Sequence, residues 1–170
     1  MADQPALDAA AGVGPVVAVF VSDPNLRRAA GAARLEFLDR SLAALAVDLD
    51  GALVHRVGDP IDVVPAVAAE VGATTVVAAD DFGPYGRSRD DAVGQALAEA
   101  GRVMQYRGSS YAISPGSVRS GAGSPYRVFT PFFRAWKAHG WSGPAGTGDR
   151  EWVHGIRSDP LPTPVDSGAR

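Results

Sequence analysis

Apolar residues follow two patterns that alternate along the chain. Continuous runs rich in β-branched residues are typical of strands buried on both faces of a parallel sheet, and they occur at Val16–Val21, Leu53–Val57, Thr75–Ala79 and Val103–Tyr106. Between these runs apolar residues recur at helical spacing, as in the stripe Leu35, Leu38, Leu42, Leu45 and Leu49. The alternation predicts an α/β fold, a Rossmann-like parallel sheet covered by helices on both faces.

Polar and turn residues mark the bounds of these elements. Ser22–Asn25 predicts a turn after the first strand, and Asp62 predicts the N-cap of the helix after the second. Ser88, with an aspartate three residues later, predicts the start of the helix after the third strand. Thr130-Pro131 predicts the start of a last helix. Residues 142–170 show no periodicity and many Gly, Pro and charged residues, so we expect a disordered tail or linker without core contacts, following a domain at 1–141.

Composition narrows the classes of protein that remain. The 170 residues are 46% apolar, which is enough for the core of one domain. The net charge of -3 gives no general attraction to nucleic acid or to an anionic membrane. There is no cysteine, which excludes disulfides and thiolate chemistry. Neither a long apolar run nor a secretory signal is present, so we expect a cytoplasmic protein.

Outside the loop Asp80–Asp90, most candidate motifs do not indicate a catalytic, metal or ligand site. Gly12–Gly14 precedes a strand, whereas a dinucleotide fingerprint must follow one. His55, His139 and His154 lack partners at metal-ligand spacing and are predicted to be solvated or structural. Arg27-Arg28 is interpreted as a solvated turn. No catalytic residue and no metal ligand is therefore assigned.

The loop Asp80–Asp90 is the first site candidate. It follows a predicted buried strand and combines acidic residues, arginines and a sharp turn at Pro84–Gly86. In an open parallel sheet, ligands bind beside loops at the carboxyl ends of strands. A helix cap at Ser88 explains only part of this composition.

Five segments in chain order carry a family resemblance; they are Phe20–Pro24, Arg34–Leu42, Gly58–Pro65, Asp81–Asp90 and Ser124–Trp136. Together they resemble the amino-terminal α/β domain of DNA photolyases and cryptochromes. The most specific piece is Pro84-Tyr85-Gly86-Arg87. The resemblance implies a domain that binds an antenna chromophore and passes excitation energy to a flavin (FAD) in a separate helical domain. That lyase domain would follow Trp141 and dock on Phe132, Phe133 and Trp136, so neither light-driven DNA repair nor direct nucleic-acid binding is expected of this chain alone.

The start of the chain departs from the family pattern. Asp3–Leu7 resembles the residues that follow the family's opening strand, which is central in its sheet. A strand-wide gap would leave buried backbone groups unpaired. We therefore expect a four-stranded sheet in which Val16–Val21 lies beside Thr75–Ala79.

The resemblance also indicates the class of antenna. Members that bind a folate have an asparagine–glutamate pair where this chain has Tyr85-Gly86, whereas Pro-Tyr-Gly-Arg is similar to members that bind a deazaflavin. The implied cofactor-binding residues are Phe20, Asp23, Arg34, Gly58, Asp81 and Arg87. An aromatic ring can stack on a tricyclic chromophore, a guanidinium can neutralise an ionised ring hydroxyl, and carboxylates can accept its hydrogen bonds.

Two other functions stay open at the level of sequence. One is a nucleotide-like ligand-binding domain on the same fold, for which the Gly/Ser-rich segment 114–124 would have to supply a phosphate loop. The other is a remnant or interaction module that binds no small molecule. Fold analogy alone does not choose among them.

Overall fold

The computed structural model describes residues 3–146 and 150–168. Within these residues strands alternate with helices, which confirms the predicted α/β class. The elements are α1 (Pro5–Ala11), β1 (Ala18–Ser22), α2 (Pro24–Ala29), α3 (Ala32–Asp48), β2 (Leu53–Val57), α4 (Pro60–Glu70), β3 (Thr75–Asp80), α5 (Pro84–Glu99), β4 (Val103–Ser109) and α6 (Phe129–His139).

The helices that follow β1, β2 and β3 each begin with a proline. Asp23 and Asp59 cap two of them by accepting hydrogen bonds from the N–H groups of Asn25 and Ile61, at 2.7 and 2.9 Å. The turn predicted after β1 is thus the start of α2. Proline is pre-set for the first helical position, where its missing N–H leaves no bond unmade.

Three predicted helix starts are wrong. The helices expected to begin at Asp62 and Ser88 begin earlier, at Pro60 and Pro84. Ser88 therefore lies inside α5 and cannot form a capping box. The last helix begins at Phe129, and no side chain caps it.

The strands form two parallel pairs rather than one sheet. β1 pairs with β2, and β3 pairs with β4. No strand pairing within the described residues joins β1 to β3, so the expected placement of these strands side by side is wrong. Instead, a cavity of about 1090 Å³ lies between them, lined by residues of both strands and of α1 and α4. We call this cavity the slot.

Each pair of strands has its own apolar cluster. Leu42 of α3 and Leu49, the C-cap residue of α3, pack with Leu53 of β2, and Phe20 of β1 contacts them. A second cluster joins α4 and α5 through Ala68, Val93 and Leu97, with Val76 and Met104 packed against it. Because each pair buries apolar surface against its own helices, neither pair depends on the other's strand edge for its core.

The segment 150–161 lies against the first pair, contrary to the prediction. Trp152 forms a bridge to Val16 and packs on the α3 cluster with Leu161. Three hydrogen bonds at 2.8–2.9 Å join Ser158 and Asp159 to the backbone of His55 and Val57. The expectation that residues beyond Trp141 make no core contacts is wrong, because extended backbone needs no helical periodicity to pair with a strand edge. Outside Trp152 the segment has no regular secondary structure.

Within the described ranges no helix has the length and apolar character needed to cross a bilayer.

Candidate functional site

The carboxyl ends of β1, β2 and β3 carry polar loops, and one contact joins two of them. The Tyr85 hydroxyl, in the first turn of α5, donates a hydrogen bond to the Asp23 carboxylate after β1. This bond raises the pKa of Tyr85, with a smaller contribution from burial. Asp23 is almost fully buried, and its other oxygen caps α2. Tyr85 and Asp23 thus connect the two strand pairs at the carboxyl end of the slot.

Asp81 shapes the start of α5. Its carboxylate accepts a hydrogen bond from the Gly83 N–H at 2.9 Å and lies 3.5 Å from the Arg89 guanidinium. A Cβ at Gly86 would come within 2.1 Å of the same carboxyl group, so any larger residue would displace Asp81. The glycine in the Tyr85-Gly86 pair is therefore required by this close approach.

Phe20 and Arg34 lie on the α3 side of the first strand pair. Phe20 packs on the α3 cluster, and its ring stacks on His55 with centroids 6.4 Å apart. Leu38 belongs to the same cluster. Since residues four apart share a helix face, Arg34 lies one turn before Leu38 on that face. Arg34 is exposed, and within the described residues it has no hydrogen-bond or ion-pair partner.

Gly58 adjoins the end of β1. Its N–H donates a hydrogen bond to the Ser22 carbonyl at 3.2 Å, and its φ of 155° belongs to the region that favours glycine. A Cβ here would approach Val63 to 2.8 Å. This backbone position brings the loop after β2 directly beside the loop after β1.

Arg87, the last of the six predicted cofactor-binding residues, lies in the first turn of α5. Its guanidinium lies over the Phe82 ring, 5.4 Å from the centroid, and no ion pair within the described residues engages it. No hydrogen bond or ion pair connects Arg87 to the other five predicted residues. The structure thus places Phe20, Asp23, Arg34 and Gly58 with the first pair of strands and Asp81 and Arg87 with the second.

These residues fit an anionic, aromatic ligand in part. Arg34 and Arg87 are cations without carboxylate partners in the described structure, so either can neutralise a ligand anion. Both oxygens of Asp23 already accept hydrogen bonds within the protein. Asp23 therefore holds the two loops together, in addition to any contact that it makes with a ligand. Of the six residues, only Phe20 also lines the slot.

Sequence reasoning missed two contacts that build this region. Tyr85 was considered only as part of a motif, because a hydrogen bond to a residue 62 positions away has no local signal. Arg27 is not a solvated turn residue; it forms a two-pronged ion pair with the buried Asp39, at 2.7 and 3.0 Å, and fixes α2 to α3. A buried aspartate on the leucine face of α3 was the available signal, since such a charge needs a partner.

The interpretation of His55 as structural is correct. The ring is almost fully buried, and its Nε2 lies 2.8 Å from the Ser22 hydroxyl. Its Nδ1 lies 2.9 Å from the Pro160 carbonyl. Because both nitrogens have partners, His55 joins β1, β2 and the segment 150–161.

Comparison with known proteins gives consistent matches. The sequence model of the family described as DNA photolyase matches residues 1–152. Deoxyribodipyrimidine photo-lyase of Halobacterium salinarum is 38% identical over 135 residues, which are 78% of this chain and 28% of that protein. The enzyme of the same name from Streptomyces griseus is 37% identical over 155 residues, 86% of this chain and 34% of that protein. The chain therefore spans about a third or less of these two relatives.

Solved structures give the same result at the level of the fold. A bacterial class III photolyase from Agrobacterium tumefaciens superposes with a TM-score of 0.76 at 31% identity, over 94% of this chain and 34% of that chain. A cryptochrome from Synechocystis sp. PCC6803 gives the same TM-score at 18% identity, over 94% of this chain and 37% of its own. An archaeal photolyase from Sulfolobus tokodaii, solved with two FAD molecules, gives 0.73 at 21% identity, over 88% of this chain and 35% of its own.

Proposed function

Because the chain belongs to the DNA photolyase family, we propose that it is the antenna-chromophore-binding part of a photolyase that repairs DNA with light. The observation that carries the proposal is the Tyr85–Asp23 hydrogen bond, which joins the polar loops at the carboxyl ends of β1 and β3. Ligands of open parallel sheets bind beside such loops. Arg34 and Arg87 supply cationic groups without carboxylate partners in the described residues.

A hydroxylated deazaflavin is the proposed chromophore. When bound, it would absorb light and pass the excitation energy to a flavin held by another domain. Phe20 would offer an aromatic face to the ring system, and Arg34 would neutralise an ionised ring hydroxyl. Asp23 and Asp81 would accept hydrogen bonds, Gly58 would allow close backbone approach, and Arg87 would contact an anionic side group. A reduced folate fits less well, because Gly86 provides no carboxylate and the Asp81 carboxyl group fills the space beside it.

Fluorescence titration with each chromophore tests this function. The deazaflavin is expected to bind more tightly than the folate, and Arg34→Ala is expected to weaken its binding by roughly 1–3 kcal/mol, the range for losing a hydrogen bond to a charged group. Arg134→Ala removes an exposed guanidinium from α6 and serves as the matched control, with unchanged affinity. Tighter binding of the folate, or a deazaflavin affinity that is indifferent to Arg34, would contradict the proposed pocket.

The same family membership supports a docking role for α6. Phe129, Phe133 and Trp136 stack in sequence along one face, with ring centroids 5.6 and 6.2 Å apart, and Trp141 continues the row. No residue of α6 is buried. Phe132 instead contacts Tyr126. We propose that this aromatic face binds the helical flavin domain of a photolyase; association with a separately expressed helical domain, lost in Trp136→Ala, is the check.

A further inference from the structure

Gly86 is a buried glycine in the first turn of α5 that its own backbone does not require. Glycines such as Gly51 and Gly72, which follow helices, have the left-handed φ values that favour this residue, whereas Gly86 is not among the residues with positive φ. Within a helix glycine is less favourable than alanine, because it loses more conformational freedom on folding. The glycine at position 86 therefore has a cause outside its own backbone.

The cause is the carboxyl group of Asp81. The three atoms nearest to a Cβ at position 86 would be Cγ, Oδ1 and Oδ2 of Asp81, all within 2.6 Å. Non-bonded carbon atoms prefer separations of about 3.5–4.0 Å, so an alanine here and the Asp81 carboxyl group exclude each other. Gly94 of the same helix differs, because a Cβ there would meet Met104 at 3.9 Å, an ordinary contact.

Two other groups hold Asp81 in the space that Gly86 leaves. The Gly83 N–H donates a hydrogen bond to its carboxylate at 2.9 Å, and the Arg89 guanidinium lies 3.5 Å away. Arg89 is itself fixed by a hydrogen bond of 2.7 Å to Asp90. The Asp81 side chain nevertheless remains 48% exposed. Its carboxylate is therefore a pre-positioned acceptor that still has room for a donor from a ligand.

We infer that Gly86 is a positioning residue of the proposed chromophore site, and that it acts through the Asp81 carboxylate. A side chain at position 86 would displace this carboxylate, break its bond to Gly83 and remove the acceptor that the site offers to ligand hydroxyl or N–H groups. Gly86 is buried and brings no side chain of its own, so it has no other means of acting on a ligand. The inference rests on the proposed function, in which Asp81 contacts the chromophore.

A double-mutant cycle tests this inference on the full chain. The four proteins are the parent, Gly86→Ala, Asp81→Ala and the variant with both substitutions. Gly94→Ala is the matched control, since it makes the same change in the same helix where there is space. The readouts are the affinity for the hydroxylated deazaflavin from fluorescence titration, the NMR shift of the Gly83 amide, and the midpoint of thermal unfolding.

The two single substitutions are expected to have the same effect on the ligand. Each should weaken deazaflavin binding by about tenfold, the loss of one hydrogen bond to a charged group. The double variant should bind no more weakly than Asp81→Ala, because no carboxylate is left to displace. Gly94→Ala should bind like the parent. Additive losses would overturn the inference, since they would show that Gly86 acts independently of Asp81.

The Gly83 amide reports the position of Asp81 without a ligand. In Gly86→Ala its resonance should move to the position that it has in Asp81→Ala, whereas Gly94→Ala should leave it in place. An unmoved resonance in Gly86→Ala would show that Asp81 keeps its position, and would overturn the inference.

Thermal unfolding adds a change of sign. With Asp81 present, Gly86→Ala should lower the midpoint, because the carboxyl group is displaced. In the Asp81→Ala background the same substitution should raise it, because the helix propensity of alanine then acts without the clash. If Gly86→Ala does not fold, recovery of folding in the double variant supports the inference. Failure of the double variant to fold, while Asp81→Ala folds, would overturn it.

The outcomes separate this inference from the proposed function. A parent protein that binds no deazaflavin contradicts the proposed function and this inference with it. A parent that binds, with losses that add across the cycle, contradicts only the role of Gly86.

Discussion

At the residue scale, the site depends on small groups whose positions are fixed by close neighbours. Gly86 is buried, and the Asp81 carboxyl group occupies the space that a side chain at position 86 would need. Tyr85, its neighbour in sequence, is 45% exposed yet makes the contact with Asp23. The short sequence Tyr85-Gly86 therefore performs two tasks: the tyrosine connects two loops, and the glycine admits the carboxylate that orders one of them.

Glu36 provides a residue whose ionisation can be followed. Hydrogen bonds from the hydroxyl and N–H of Ser167, and then from Arg40, lower the pKa of Glu36 from 4.5 to about 2. The folded state thus favours the ionised carboxylate. Its contribution to stability is complete above pH 4.5 and is lost as the pH falls towards 2.

We expect the NMR titration of the Glu36 carboxyl carbon to have its midpoint near 2, with the Ser167 amide shift following the same curve. Glu36→Gln should abolish the transition in the Ser167 amide. A Glu36 midpoint at an ordinary glutamate value, with an unresponsive Ser167, would show that this contact does not form in solution.

At the element scale, the first pair of strands is completed by an extended segment of the chain. Odd-numbered residues of β2 direct their backbone groups away from β1, and Ser158 and Asp159 bond to those of His55 and Val57. Arg150 forms an ion pair with Asp8 of α1, which holds the beginning of the same segment. The segment is therefore a structural part of the domain although it has little regular secondary structure.

Substitution of two tryptophans distinguishes a docked segment 150–161 from a loosely attached tail. Trp152 is half-buried against the α3 cluster, whereas Trp141 is 58% exposed. We expect Trp152→Ala to lower the free energy of unfolding by about 1–3 kcal/mol, since it removes part of a packed contact. Trp141→Ala should change it by less than about 0.5 kcal/mol. Urea denaturation of both variants is the measurement, and equal small effects would show that residues 150–161 do not dock.

How far the sequence predicts these elements depends on the range of the interactions involved. Strand runs and the leucine stripe reflect local periodicity, and they led to the correct strands and to α3. The bond between Tyr85 and Asp23 and the pairing of Ser158 with His55 connect residues 62 and 103 positions apart. No local pattern encodes such partners. The family resemblance supplied the six predicted cofactor-binding residues, but it gave no account of the roles of Asp23 and Gly86 in ordering the loops.

At the scale of the whole molecule, the separation of the two pairs is the dominant feature. Their connections include α4, which joins β2 to β3 along the chain and contacts both β1 and α5, the hydrogen bond from Tyr85 to Asp23, and the ion pair of Arg150 with Asp8 of α1. The prediction of a closed sheet was wrong because it counted only the cost of unpaired backbone groups. Each pair instead buries its apolar side chains against its own helices, so its core forms without closure of the sheet.

Amide exchange in the free protein tests the separation directly. The N–H groups of Val19 and Val77 face the slot, whereas those of Phe20 and Val76 are bonded to β2 and β4. We expect exchange rates to alternate along both strands, fast at Val19 and Val77 and slow at Phe20 and Val76. Uniform protection along both strands would mean that the two edges have closed on each other in solution.

The segment 150–161 also determines when the first strand pair can be completed during folding. Trp152, Ser158 and Asp159 bond to strand residues that precede them by more than a hundred positions. Contacts at such separation form late, because the loop-closure entropy must be overcome first. During synthesis β1 and β2 can pair as soon as β2 has emerged from the ribosome. The backbone N–H and C=O of His55, however, lack their partners Ser158 and Asp159 until those residues have emerged as well. A nascent chain from which Trp152 has not yet emerged is therefore a species with an open strand edge, and the binding of chaperones to it should fall once Pro160 has emerged from the ribosome.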